Sequence, residues 1–151
     1  EKQKVKRFYG VGEKQFRIFF KKAAQRKGVT GENLLISLEL RLDNIAYRMN
    51  FASSRAHARQ LIRHGHVYVN GKKCSIPSRI LRLEDEVSFK EKSGQNENIK
   101  VMLEDVKGLV DVPEWLLVDP EKNAGKINSI PTRDDVSIAV EEHLIVELYS
   151  K

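Results

Sequence analysis

Cysteine is nearly absent from this sequence. Cys74 is the only one in 151 residues, so no internal disulfide can form, and such usage fits a reducing compartment. No apolar run approaches the roughly 18 residues of a membrane span, no signal peptide is recognisable, and no membrane partner is expected. Internal repeats and low-complexity tracts are missing too. So are a Walker loop, G-x-G-x-x-G and G-x-S-x-G. Of the histidines, His57, His64, His66 and His143, two form an H-x-H at 64–66. No second cysteine or acid stands at metal spacing from it, so they read as structural or solvent-facing. The run Glu84-Asp85-Glu86 reads as a solvated turn rather than an acid–base pair. These absences argue against an enzyme, and no cofactor or metal is expected.

What the chain has is charge and enough apolar residues to enclose a core. Charged residues make up 32%, above the roughly 25% of an average soluble protein, and 40% are hydrophobic, so disorder is not expected. The net charge is +6, and its distribution matters more than its sum. Residues 1–28 carry a net +8, residues 29–40 a net −2, residues 41–92 a net +6 and residues 93–151 a net −6. A polyanion is therefore expected to meet the two basic blocks, and the acidic remainder to face solvent or a basic partner. The sequence opens at Glu1 without a methionine, and it is read as a fragment or a processed product.

Periodicity organises the chain. After a basic lead (Lys2, Lys4, Lys6, Arg7), Phe16, Phe19, Phe20, Ala23 and Ala24 recur at helical spacing over about Glu13–Lys27, with Lys14, Arg17 and Lys21 on the other side and Gly28 placed to stop the helix. A second helix is expected from about Gly31 to Asn50. Leu38, Leu42, Ile45 and Met49 form its stripe, and Arg41, Asn44 and Arg48 share a neighbouring face. Ser53 or Ser54 can cap a short third helix, in which Ala58, Leu61 and Ile62 turn inward and Arg55, Arg59 and Arg63 recur at i, i+4, i+8. Gly65 can end it.

The period then becomes two. Val67 and Val69 alternate with His66 and Tyr68, and Asn70-Gly71 signals a two-residue hairpin turn with a return strand at Lys72–Ile76. Pro77-Ser78 breaks it, and a further strand is expected at Glu86–Lys90. Lys92–Asn98 reads as a loop, Ile99–Val106 leans to helix, Trp115–Val118 and Lys126–Ile130 read as strands, and Val140–Tyr149 as a closing helix with Val140, Leu144, Ile145 and Leu148 on one stripe.

The helix–hairpin unit from Leu40 to Phe89 carries the binding chemistry. Its arginines offer planar forks that bond phosphate oxygens bidentately, and the capped helix start adds oriented N–H groups. With Arg41, Arg48, Lys72 and Lys73 in the same unit, nucleic acid is favoured over a merely solvated arginine stripe.

The same run, Leu38 to Phe89, resembles the small RNA-binding module named after the fourth protein of the bacterial small ribosomal subunit. Arg41-Leu42-Asp43, Ser54-Arg55, Ala58-Arg59-Gln60-Leu61-Ile62, Gly65-His66-Val67 and Val69-Asn70-Gly71-Lys72 stand in the right order. That module also occurs as an accessory in tyrosyl-tRNA synthetases and pseudouridine synthases, so the flanks decide. Glu1–Ala23 resembles the helical segment before the module in the ribosomal protein family, Val112–Val136 its second-domain strands and Glu141–Lys151 its C-terminal ending. The family's further N-terminal segment, cysteine-containing in some members, has no counterpart here, nor has any metal site it carries. Two departures stand out: Asn50 where the family usually has glycine, and Glu84-Asp85 for the usual Gly-Asp, which leaves that turn's geometry open. Asn tolerates the left-handed conformation.

The resemblance implies an α+β fold. A helical domain (1–41, completed by a C-terminal helix at 137–151) would carry an inserted domain (42–136) of antiparallel β-sheet and packed helices, with the RNA-binding module at about 40–90. It implies a structural constituent of the small subunit in the cytoplasmic ribosome, a primary binder of small-subunit rRNA at a multi-helix junction, and a repressor of its own operon's translation. The implied partners are rRNA, neighbouring small-subunit ribosomal proteins and mRNA, with a monomer outside the ribosome. The alternatives are the accessory RNA-binding domain of an RNA-modifying enzyme or tRNA synthetase, and an interaction module whose acidic 93–151 region meets a basic protein. The residues expected on the RNA are Arg41, Arg48, Ser54, Arg55, Arg59, Arg63, Asn70, Lys72 and Lys73 from the module, and Lys4, Arg7, Lys14, Arg17 and Lys21 from the first domain. Tyr9 is left open between stacking on a base and packing; Phe16, Phe19 and Phe20 are assigned to the core.

Overall fold

The computed structural model describes residues 1–90 and 96–149. The chain divides into two compact units, residues 1–39 with 131–151, and residues 40–130. Among the described residues there are seven α-helices and one five-stranded antiparallel sheet, an α+β fold in which the sheet-bearing unit is inserted into a helical one.

The helical unit begins with α1 (Lys2–Tyr9), so the basic lead is itself a helix. Val5 and Tyr9, four residues apart, turn its apolar side inward, and Gly10 ends it in the left-handed conformation at φ 67°. Helix α2 (Glu13–Gln25) buries Phe16, Phe19 and Ala23; Phe20 is only partly covered and Ala24 is exposed, so the apolar face is narrower than the sequence suggests. Its end falls before Gly28, which adopts φ 106° in the turn to α3 (Thr30–Glu39). The unit is completed by residues 131–149. A 3-10 turn at Arg133–Asp135 is held by a reciprocal capping box between Thr132 and Asp135. Val136, Ile138 and Val140 then alternate into the core, a period-two pattern the sequence reading passed over. In the closing helix (Glu142–Tyr149), Ile145 is buried but Leu144 and Leu148 are 39% and 50% exposed, so only part of the expected stripe is core.

The expected helix 31–50 is two helices. α3 stops at Glu39, and α4 runs from Leu42 to Arg48. The reason is long-range: the backbone at 40–43 is bonded to the segment 77–81 instead of continuing the helical ladder. Leu81 N–H donates to Leu40 O at 2.9 Å, Leu42 N–H to Arg79 O at 2.8 Å and Asp43 N–H to Pro77 O at 3.1 Å. Leu38, Leu42, Ile45 and Met49 are all buried, yet Leu38 serves the helical unit and the others the inserted one.

In the inserted unit, α4 is followed by α5 (Arg55–Arg63), then β1 (Val67–Val69), β2 (Lys72–Lys73) and β3 (Glu86–Phe89). The return strand is thus shorter than expected. Helix α6 covers Glu97–Val106; its cap, Asn96, accepts from Asn98 and Ile99 N–H, so it claims the end of the expected loop 92–98, whose first part lies outside the described residues. Strands β4 (Leu116–Asp119) and β5 (Ala124–Ile127) complete the sheet in the order β2-β1-β3-β5-β4. Its inward face is Val67, Val69, Val87, Leu116, Gly125 and Ile127. Glu84 takes φ 69° at the turn where the resemblance left the geometry open. Its backbone N–H donates to Ile127 O at 2.9 Å, and Ile127 N–H donates to Asp85 O at 3.0 Å, which ties this turn to β5.

Candidate nucleic-acid interface

Helix α5 is the organising element. Ser54 is its N-cap: its hydroxyl accepts from His57 N–H at 3.0 Å, satisfying a donor that the first turn leaves orphaned. Ala58, Leu61 and Ile62 anchor the inner face. This leaves Arg55, Arg59 and Arg63 on successive turns of an outer face, with Arg63 exposed and the other two partly covered.

Beyond α5 the chain reverses through Asn70-Gly71, at φ 53° and 78°, the pair of positive angles that a type I′ hairpin turn requires. This exposes Lys72 and Lys73 on β2. Gly65, at φ 80°, sits against the Lys73 side chain: a Cβ there would lie 3.1 Å from Lys73 Cε. The hairpin's first strand starts beside His66, whose imidazole is held below its ordinary value by burial first and then by His64 and Lys90. An imidazole more readily neutral is the expected response to burial, reinforced by the neighbouring basic groups.

Two of the sequence-assigned contacts have internal roles. Arg41 is 4% exposed, and it grips Asp43 with two bonds, Nε to Oδ1 at 3.1 Å and Nη2 to Oδ2 at 3.0 Å. It precedes α4 rather than lying on it, because the helix is broken at 40–41; a buried side chain behind the surface cannot reach a phosphate directly. Asn70 donates from Nδ2 to Asp85 Oδ1 and accepts at Oδ1 from Glu86 N–H, both at 2.9 Å. Its amide holds the turn, so the exposed hairpin cations are Lys72 and Lys73.

The polar residues that organise the face, Asp43 and Asn44, were not among those expected on the RNA. Asp43 Oδ2 also accepts from Arg59 Nη1 at 3.2 Å, and Asn44 Oδ1 accepts from Arg55 Nε at 2.8 Å. The Arg55 guanidinium lies 4.8 Å from the centre of the Tyr47 ring, a cation–π arrangement. The available signal was Asp43-Asn44, directly after Arg41-Leu42. Arg79 and Arg82 are further exposed cations of this unit that sequence reasoning passed over.

In the helical unit, Lys4 and Arg7 on α1 and Lys14, Arg17 and Lys21 on α2 are exposed. Arg17 makes a 3.3 Å contact with Glu13, four residues earlier. Lys2 and Lys6 are tied to the same carboxylate, at 3.1 and 2.8 Å. Tyr9 is packed: it is 1% exposed, and its hydroxyl donates to Glu39 Oε2 at 2.6 Å.

Comparison with known proteins follows this division. Residues 1–39 match the family described as the ribosomal protein S4/S9 N-terminal domain, and residues 40–87 match the S4 domain. Small ribosomal subunit protein uS4A of Alkaliphilus oremlandii is 54% identical over 151 residues, spanning 100% of this chain and 72% of that protein. The chain belongs to the uS4 family. The uS4 protein of Solibacter usitatus is 52% identical over 152 residues, covering 100% of this chain and 72% of its own length. That of Lachnospira eligens is 51% identical, with 100% and 76% covered. The resemblance read from Leu38–Phe89 and from the flanks is thereby borne out. The N-terminal-domain match over 1–39 is what an accessory S4 domain alone would lack. The arginine face of α5 and the lysine-tipped hairpin lie wholly within the uS4 chain's S4 domain.

Proposed function

We propose that the chain is a structural, non-catalytic constituent of the small ribosomal subunit that binds rRNA and neighbouring ribosomal proteins. Its place is the cytoplasmic ribosome. Membership of the uS4 family and the two-domain match support this reading. The observation that carries the RNA-binding part is the capped helix α5, with Arg55, Arg59 and Arg63 on one outer face beside the exposed Lys72 and Lys73.

The finer proposal is a multi-helix junction of small-subunit rRNA. A-form RNA hides its base edges in a deep, narrow groove, so a rigid array of guanidinium and ammonium groups reads the arrangement of backbones rather than sequence. The contacts are Arg48, Ser54, Arg55, Arg59, Arg63, Lys72 and Lys73 in the S4 domain, and Lys4, Arg7, Lys14, Arg17 and Lys21 in the helical unit. mRNA is a further ligand, including the chain's own message in translational repression, and outside the ribosome the chain is a monomer.

The test is a salt titration of binding to a small-subunit rRNA junction and to a plain duplex of equal length. The expected result is a steep negative slope of log affinity against log salt, with the junction preferred. A flat slope, or no preference for the junction, would overturn the reading.

A further inference from the structure

Three arginines of the S4 domain converge on two neighbouring residues at the start of α4. Asp43 is 1% exposed, and its carboxylate accepts four hydrogen bonds: from Arg41 Nε and Nη2, from Arg59 Nη1, and from Asn44 N–H at 2.7 Å. Asn44, fully buried, accepts from Arg55 Nε through its side-chain oxygen. One carboxylate thus holds two guanidinium groups, and the amide beside it holds a third. A pair serving stability alone needs only one cation, and a buried ion pair is in any case weak evidence for stability. The two further cations are Arg55 and Arg59, one turn apart on the outer face of α5, with Arg59's side chain 18% exposed.

We infer that Asp43 and Asn44 are positioning residues of the RNA interface: they fix the Arg59 and Arg55 guanidinium groups in the free protein, so that both forks are aimed before a phosphate arrives. The inference rests on the RNA-binding reading above. Arginine forks bond phosphate bidentately only in a defined plane. A long side chain that must be ordered on binding loses affinity to that ordering. Here the ordering is already done. Arg59 is held at Nη1 by Asp43, and Arg55 is held at Nε by Asn44 and across its face by the Tyr47 ring. Arg41, behind them, keeps Asp43 in place with its two-point grip. The cluster retains a positive excess, the sign a phosphate needs.

Charge and positioning make opposite predictions for Asp43→Asn. The substitution removes a negative charge from a basic face, so attraction alone would tighten RNA binding. Positioning predicts the reverse: about tenfold weaker binding to the rRNA junction, and a salt slope shallower by about one as the Arg59 contact is lost. A double-substitution cycle separates this from damage to the fold. In an Arg59→Gln background, Asp43→Asn should cost less than about threefold. Equal or tighter binding by Asp43→Asn, or the same loss in both backgrounds, overturns the inference while leaving the RNA-binding reading intact. Circular dichroism and thermal melts establish that each variant is folded. If Asp43→Asn does not fold, the cycle of Asn44→Ala with Arg55→Gln decides the matter in the same way, since Asn44→Ala removes a neutral acceptor and leaves Asp43 with its two guanidinium partners. If the unaltered chain fails to bind the junction at all, the RNA-binding reading falls and the inference falls with it.

Discussion

Asn50 and Val110 clasp each other across 60 residues of chain: Asn50 Nδ2 donates to Val110 O, and Val110 N–H donates to Asn50 Oδ1, both at 2.9 Å. The side-chain amide imitates one rung of an antiparallel ladder. It does so from a residue at φ 63°, the conformation that glycine would adopt most easily. Asparagine at this position therefore trades some backbone ease for a tether on the segment after α6. Asn50→Gly keeps the conformation and removes both bonds. The loss of two ordinary hydrogen bonds, partly offset by the backbone ease of glycine, should lower stability by about 1 kcal/mol in urea denaturation. A raised midpoint would show that the clasp is worth less than the backbone strain it accompanies.

Gly125 in β5 is a second point of close approach. A Cβ there would lie 2.8 Å from Met49 Sδ and 2.9 Å from Leu117 O. The methionine can shift, but the carbonyl belongs to the paired strand β4 and cannot. Gly125→Ala should destabilise the inserted unit by about 1–3 kcal/mol, the usual cost of overpacking. Combining it with Met49→Ala should not restore stability in a thermal melt. Full recovery would mean that the sulfur, not the strand, is the obstacle.

The helical unit should weaken in acid through Glu13. The Lys6 ammonium, and then that of Lys2, bond its carboxylate and hold its value down to about 2 from an ordinary 4.5. A depressed carboxylate stabilises the fold above its unfolded value, and that contribution is lost as pH falls towards the folded one. The window therefore runs from about pH 4.5 down to about 2. Solvent screens this group, so the effect should be small. Melting temperatures across that window should fall less steeply for Glu13→Gln than for the unaltered chain; parallel curves would contradict the assignment.

Arg63 offers the cleanest test of the phosphate row, because it is exposed at the last turn of α5. Arg63→Gln should leave the melting temperature unchanged, weaken binding to every RNA by a similar factor, and reduce the salt slope by about one. A loss confined to one RNA sequence would point to base readout instead.

Features with local causes were legible in the sequence. The α5 cap, the arginine spacing and the Asn70-Gly71 turn depend on residues a few positions apart, and they stand where expected. The break at Leu40–Arg41 has a distant cause, since the backbone there bonds to residues 77–81. No pattern within 31–50 reveals that, and the misassignment of Arg41 as a surface contact follows from it. Helix α1 hid behind its charges: only Val5 and Tyr9 mark its inward face. The sheet order needed the pairing of Glu86 with Lys126, 40 positions apart, which periodicity cannot supply. On the binding face the donors were visible as a spaced series. The acceptors that aim them, Asp43 and Asn44, looked like ordinary polar residues of a helix.

The insertion of one unit into the other also sets an order of events during synthesis. Residues 40–130 form a continuous stretch and are synthesised before residues 131–149. The RNA-facing unit has all of its own sequence while the helical unit still lacks Val136, Ile138, Val140 and Ile145, four of its buried side chains. Domains generally fold as units while the chain grows. A nascent chain paused near residue 130, held clear of the exit tunnel by a linker, should therefore resist protease over 40–130 and be cut within 1–39.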